Sequence, residues 1–263
     1  MKRSDSERGS FRQNLIRIFS RTLMTSVIVI TALGSLTWGF WALDQRGFFN
    51  LTQIEILVEE IPAQKAMLRT QVAELQKNIE TLRGISLFKL PLAEVSNKLQ
   101  AQNWIEESQV SRRWPETLRI NLKPSKIYLL HISNKGFRPV IADGSFLAAV
   151  KPSEAPDVPH LRGAEFDTDL ELRKSAVDII KMIPERGKFA LGAISEIHHD
   201  SKEGFWATLM GSQTKIKLGY EKVSLKSARI NQVLTYLDQR GLNARVIDAD
   251  LSQKVLVRLR KDP

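Results

Sequence analysis

The stretch WIEESQVSRRWPETLRINLKP, Trp104 to Pro124, decides how the chain is read. In its second half Leu118, Ile120 and Leu122 alternate with Arg119, Asn121 and Lys123, the period-two pattern of a strand with one wet face. Pro115 and Glu116 supply turn chemistry, so SQVSRRWP and TLRINLKP read as two strands joined by a tight turn. Upstream, FFNLTQIEILVEE carries Leu51, Ile54, Ile56 and Val58, ending in strict alternation, which predicts another strand. Pro62 then opens a helix to about Arg83, with Leu68, Val72, Leu75, Ile79 and Leu82 at heptad spacing and Gly84 as its stop. Two turns of heptad fall short of the repeats a coiled coil needs, so this is an amphipathic helix lying on its own sheet. After the short apolar run ISLFKL, Pro91 begins a second helix, PLAEVSNKLQAQ, with Leu92, Val95 and Leu99 on one face. Residues 48–124 therefore form a β-α-α-β-β unit.

A second block, 125–263, follows without a Gly- or Ser-rich linker, which predicts close abutment of the two. Its strands are KIYLLHIS, FRPVIA, SFLAAV, AISEIHH, FWATLM, TKIKLG, ARVIDA and KVLVRLR, separated by Gly-containing turns. Two helices interrupt them. One runs from Leu170 to Arg186 with Leu172, Val177, Ile180 and Ile183 buried; the other runs from Lys222 to Arg240 with Val223, Ile230, Val233, Leu234 and Leu237 buried. The three prolines of KPSEAPDVPHLRG make it a loop. The fold class is α+β, a small β-α-α-β-β domain followed by a mixed β domain with two helices.

Ahead of both lies LMTSVIVITALGSLTWGFWAL, Leu23 to Leu43, 21 residues without a charge. As a helix at about 1.5 Å per residue it spans roughly the 30 Å hydrocarbon core of a bilayer. Trp38, Phe40 and Trp41 sit near its C-terminal end, where aromatic rings favour the headgroup zone. Residues 1–22 hold six basic and two acidic groups, so the positive-inside rule keeps this tail cytoplasmic and exports the remainder. The stretch exceeds a usual signal-peptide core, and bulky Phe40 sits where cleavage after Ala42 would want a small residue, so it is an uncleaved anchor. The tail's Arg12, Arg17 and Arg21, interleaved with Phe11, Leu15, Ile16, Ile18 and Phe19, could also lie on anionic lipid, secondary to the topology signal.

Composition removes other classes. The net charge is +10, but the densest basic cluster is that short tail rather than a folded surface, which argues against nucleic acid. With no cysteine there is no disulfide frame, thiolate nucleophile or thiolate metal site, and only four His remain for metal work. His198, His199 and Asp200, with Glu196, form no good metal set because neighbours on a strand face opposite ways; they read as a loop pair of solvated histidines. Ser86 to Lys89 and Ser212 to Lys215 match S-x-x-K at the level of chance and lack the S-D-N and K-T-G companions. Neither a phosphate loop nor a nucleophile elbow is present, so no enzyme, cofactor, metal or small-molecule substrate is expected.

Several motifs, in order, carry a resemblance: WIEESQVSRRWPETLRINL with its V-x-R-x-W-P turn, IADGSFL, PHLRG, and TKIKLGYEKVSLKSARI at a strand–helix junction. Together with one N-terminal anchor, they resemble the FtsQ/DivIB family of bacterial cell-division proteins. The resemblance covers the anchor and nearly all that follows. It implies a POTRA domain at 48–124, a partner-binding β domain at 125–263, and a bitopic, non-enzymatic scaffold of the inner membrane at the division septum. Such a scaffold binds FtsB, and through it FtsL, and helps recruit and regulate septal peptidoglycan synthesis. It associates the POTRA module with recruitment, here placed at Arg112 and Arg113, and the last β-domain strands with FtsB. The segment KPSKIYLLH departs from the family's E-x-x-P-x-A, the first helix is longer than usual, and the end at Pro263 points to the shorter form of the family.

The residues support the same end of the chain independently. A terminal strand often closes a sheet, and its edge offers unpaired N–H and C=O groups to an added strand. The expected contacts are Leu251, Val255, Val257 and Leu259 or their alternates such as Leu256, with Arg258 and Arg260 facing acidic partner residues. Lys215 and Lys217 would form a neighbouring basic face. The alternative reading, a POTRA-bearing envelope transport component, would normally bring several POTRA units or a membrane barrel.

Overall fold

In the computed structural model, which describes residues 28–251 and 254–260, the hairpin is β2 (Ile105–Arg113) turning into β3 (Thr117–Pro124). Leu118, Ile120 and Leu122 are buried. Each such side chain contributes about 2 kcal/mol by leaving water. β1 (Gln53–Val58) completes a three-stranded sheet of order β1-β3-β2. The long helix is a 3-10 turn, Pro62–Gln64, then α2 (Lys65–Ile79), then another 3-10 turn to Leu82. Its stripe buries Leu68, Leu75 and Ile79, as an amphipathic helix should. α3 (Leu92–Gln100) buries Val95 and Leu99.

Two compact units divide the chain. Of the described residues, one holds those up to Glu55 with Glu80–Leu92 and Val110–Arg119; the other holds Ile56–Ile79, Ala93–Gln109 and those from Ile120 on. The described residues begin with α1 (28–45), whose apolar side chains, Ile28, Ile30, Leu33 and Leu36 among them, are exposed. Among the described residues no helix is long and apolar enough to cross a membrane. The expected span starts at Leu23, so its first five residues, like the basic tail, lie outside the described residues.

Within the second unit the expected abutment rests on Gln64. Its buried amide donates to the Ser125 carbonyl (3.1 Å) and accepts from the Ile127 N–H (3.1 Å). One side chain thus pairs both backbone groups at the KPSKI turn, and leaving them unpaired would cost about 1–3 kcal/mol. The Asp157 N–H donates to the Ala63 carbonyl (2.7 Å) and adds a second tie.

The later residues build one eight-stranded mixed sheet, order β11-β10-β9-β8-β7-β6-β4-β5. Its strands are β4 (Ile127–Ser133), β5 (Gly136–Ile141), β6 (His160–Arg162), β7 (Ile194–Asp200), β8 (Gly204–Leu209), β9 (Lys215–Gly219), β10 (Ala244–Asp248) and β11 (Leu256–Leu259). α4 (Leu170–Met182) and α5 (Val223–Gln239) share a core with one face of it, where Val177, Ile180 and Ile230 meet Ile197, Ala207, Ile216 and Ile247. α4 ends before Arg186 because Pro184 lacks the N–H that another turn needs.

Three expectations are corrected. KPSEAPDVPHLRG is not all loop: His160–Arg162 is β6, pairing in parallel with both β4 and β7 around the fully buried Leu161. SFLAAV is not a strand; it runs beside β5 through isolated bridges, Phe137 with Val150 and Val140 with Phe146. His198 and His199 stand on β7 rather than in a loop. His198 stacks on Trp206 (5.9 Å between centroids), and His199 shares a hydrogen bond with the Tyr220 hydroxyl.

The structure also reveals a buried polar knot. His131, wholly buried on β4, places Nδ1 3.0 Å from the Leu161 carbonyl and Nε2 3.1 Å from the Asp167 carboxylate, which also binds Arg138. The guanidiniums of Arg138 (4.0 Å) and Arg173 (4.1 Å) both lie over the Phe146 ring. Burial pushes the Asp167 carboxyl up, but the His131 hydrogen bond and the charges of His131, Lys135 and Arg138 outweigh it and hold it below its ordinary value.

A candidate partner-binding sheet edge

Among the described residues β11 ends the eight-stranded sheet and pairs on one side only, antiparallel to β10. The register sets Val246 against Arg258, Ile247 against Val257 and Asp248 against Leu256. Because Ile247 is fully buried, Val257 shares its face, and both Val255 and Val257 pack on the core. Leu256 and Arg258 take the opposite face, with Leu256 49% exposed. The register thus divides the expected contacts into two sets, with the valines inward and Leu256 and Arg258 outward.

Backbone direction follows from one bond. The Arg260 N–H donates to the Asn243 carbonyl (2.8 Å), on the β10 side. Alternation then turns the N–H groups of Arg258 and Leu256 toward β10 and those of Val257 and Leu259 toward the open edge. The Arg260 guanidinium bends back to the Ser212 carbonyl (2.8 Å), so this cation serves its own domain as well.

Lys215 and Lys217 join the same surface. β9 pairs in parallel with β10, setting Lys215 against Val246 and Lys217 against Asp248. Thr208, Lys215, Val246 and Arg258 form one row across β8 to β11, and Trp206, Lys217, Asp248 and Leu256 form the next. Lys215 and Arg258 flank Val246, while Lys217 is largely covered and ion-paired with Glu203 (3.6 Å). Burial lowers the His198 imidazole below its ordinary value, favouring the neutral ring against Trp206.

Leu251 lies past β10 in a shallow cleft shared with Tyr220, Leu225 and Arg229. The cleft is held by Lys226, whose buried ammonium donates to the Leu218 carbonyl (2.6 Å) and to Asp250 (2.7 Å). Gly219 has φ +68°, the left-handed region that favours glycine, and a Cβ there would push the Asp250 carboxylate off its place against Lys226. Tyr220 and Leu225, both more than half exposed, were missed by sequence reasoning; an aromatic directly after the turn glycine was the available signal.

Arg112 and Arg113 belong to the first unit. Arg112 donates to the carbonyls of Leu87 (2.6 Å) and Leu90 (2.7 Å), an internal strut. Arg113 is exposed and pairs with Glu55 (3.3 Å), which also takes Arg119 (3.0 Å). Among the described residues no group of His, Asp and Glu could hold a metal ion.

Comparison with known proteins agrees with this architecture. Residues 50–123 match the family model "POTRA domain, FtsQ-type" and residues 130–250 match "Cell division protein FtsQ/DivIB, C-terminal". The cell division protein FtsQ of Anaeromyxobacter sp. strain K is 27% identical over 258 residues, 95% of this chain and 84% of that protein. Its namesake from Geobacter sp. strain M21 is 28% identical over 195 residues, 70% of each. A solved structure, the major extracytoplasmic domain of the cell division protein DivIB from Geobacillus stearothermophilus, matches at 18% identity and TM-score 0.31, covering 44% of this chain and 95% of that one. With both of its domain models matched in order on one chain, the protein belongs to the FtsQ/DivIB family of bacterial cell-division proteins.

Proposed function

We propose that the chain is a bitopic scaffold of the inner membrane at the division septum, working by strand addition. Membership of a non-enzymatic cell-division family supplies the general role. In this reading residues 1–22 are cytoplasmic, 23–43 span the membrane, 48–124 are the exported POTRA domain, and 125–263 bind FtsB and through it FtsL. The observation that carries it is β11, a sheet edge with the Val257 and Leu259 donors turned outward and Arg258 and Lys215 on the adjoining face. An incoming strand would take those donors and place carboxylates against the cations. Arg258, Leu256 and Leu259 carry the contact, Val255 and Val257 set the plane of the edge, and Leu251 and Arg260 border it. Recruitment through the POTRA domain falls to Arg113, with Arg112 holding the loop behind it.

Co-purification of the full chain with the periplasmic segments of FtsB and FtsL, wild type against Val257→Pro, tests the reading. Proline deletes the outward donor, so capture falls while circular dichroism is unchanged. If the wild-type chain captures neither segment, the partner assignment is wrong.

A further inference from the structure

We propose that the first unit carries an aromatic apron that sits in the headgroup zone of the bilayer and holds the exported part against the membrane. Phe49 is its buried hub: its ring lies 6.2 Å from Phe40 at the end of α1, 5.2 Å from Phe48, 4.9 Å from Phe88 and 5.8 Å from Trp114. Phe88 and Trp114 are themselves 4.6 Å apart, and Phe48, Phe88 and Trp114 are each at least half exposed. These rings come from three separate stretches, and a contiguous exposed aromatic patch of this kind marks a contact surface, unlike scattered single hydrophobes.

The patch is built rather than accidental. The Arg112 strut grips the carbonyls on both sides of Phe88 and Lys89 and so fixes the loop that presents them. Ser86 donates to Asp44 at the end of α1 (2.5 Å), and the Leu51 and Leu87 N–H groups pair with the Ile85 and Phe49 carbonyls. The apron is therefore joined firmly to the helix it continues.

Two observations select lipid as the occupant. First, Phe40 belongs to the exposed apolar surface of α1, beside Trp38 and Trp41, so the Phe40–Phe49 ring contact joins the apron to that surface. Second, the nearby carboxylates are engaged internally: Asp44 with Ser86 and Lys89, Glu116 with Thr52, and Glu55 with Arg113 and Arg119. Arg46 is exposed beside these rings, and Lys89, though near Asp44, keeps a 72% exposed side chain, so both can meet phosphate headgroups. Rings at the interface with cations beside them is the arrangement that bilayers favour. The inference rests on the reading of 23–43 as the membrane anchor.

The chain has no cysteine, so single nitroxide labels report depth cleanly. The full chain is reconstituted into phosphatidylethanolamine–phosphatidylglycerol vesicles with a label at Phe88→Cys, Trp114→Cys, Leu33→Cys or Ser201→Cys, each checked by circular dichroism against the parent. At 88 and at 114 the ratio of oxygen to nickel-chelate collisions should be several-fold above that at 201, and the ratio at 33 should be higher still. If 33 is deep while 88 and 114 are as wet as 201, the anchor stands and the apron is refuted, leaving the patch to a protein. If 33 is wet, anchor and apron fall together.

Discussion

The two edges of the eight-stranded sheet are treated in opposite ways. β5 ends one side and is closed: it contains Pro139, and residues 145–150 run back along it, with Leu147 and Val150 donating to the carbonyls of Pro139 and Phe137. Phe146 anchors that cover among Arg138, Arg173 and His131. β11 ends the other side, and among the described residues nothing pairs with its outer edge. Proteins normally blunt exposed edges with proline, charge or a covering segment. Here one edge has the covering segment and the other leaves Arg258 beside outward donors, and the proposed strand addition rests on that open geometry.

The comparison breaks most visibly at the closed side. Phe146→Ala removes a ring packed on the core and contacted by two guanidiniums, and should lower unfolding free energy by about 3 kcal/mol in urea titration. If the two edges are independent, partner binding at β11 stays unchanged in the folded fraction. Val257→Pro at the open side should weaken partner binding by about 2 kcal/mol, read by titration calorimetry on the folded protein, while the lost valine packing lowers the melting temperature separately. The cation beside that edge matters less: Arg258→Glu should cost about 1 kcal/mol or less of affinity, mainly as a slower association rate that vanishes at high salt.

Acid provides the gentlest probe. The Asp167 carboxyl is held below its ordinary value, so it contributes stability above the carboxylate range and loses it as pH falls through the folded value. An Asp167→Asn variant should therefore lose part of the acid slope of stability that the parent shows, measured by urea midpoints across that range.

Much of this was legible in the sequence because it is local. The alternation in β3, the α2 stripe and the turn at Pro115 each follow from neighbours along the chain. β6 was not legible: three residues after Pro159 are too short to show a period, and Leu161 becomes core only because β4 and β7 flank it. SFLAAV has the composition of a strand, yet it touches β5 at isolated bridges, with Phe146 held by the distant Arg138 and Arg173. Gln64, His131 and Arg173 look like surface residues until long-range partners bury them. At the candidate site, the existence of β11 could be read from KVLVRLR. Its facing could not, because the pairing of Ile247 with Val257 sets it, and the placing of Lys215 and Arg258 on either side of Val246 needs β9 and β10 to be parallel across α5.

Amide hydrogen exchange on the full chain, with and without the periplasmic FtsB and FtsL segments, tests the open-edge account most directly. The account predicts that the Val257 and Leu259 amides slow at least about ten-fold on binding, as newly paired donors do, while the β5 amides keep their rates. Binding that leaves Val257 and Leu259 at their free rates would contradict it.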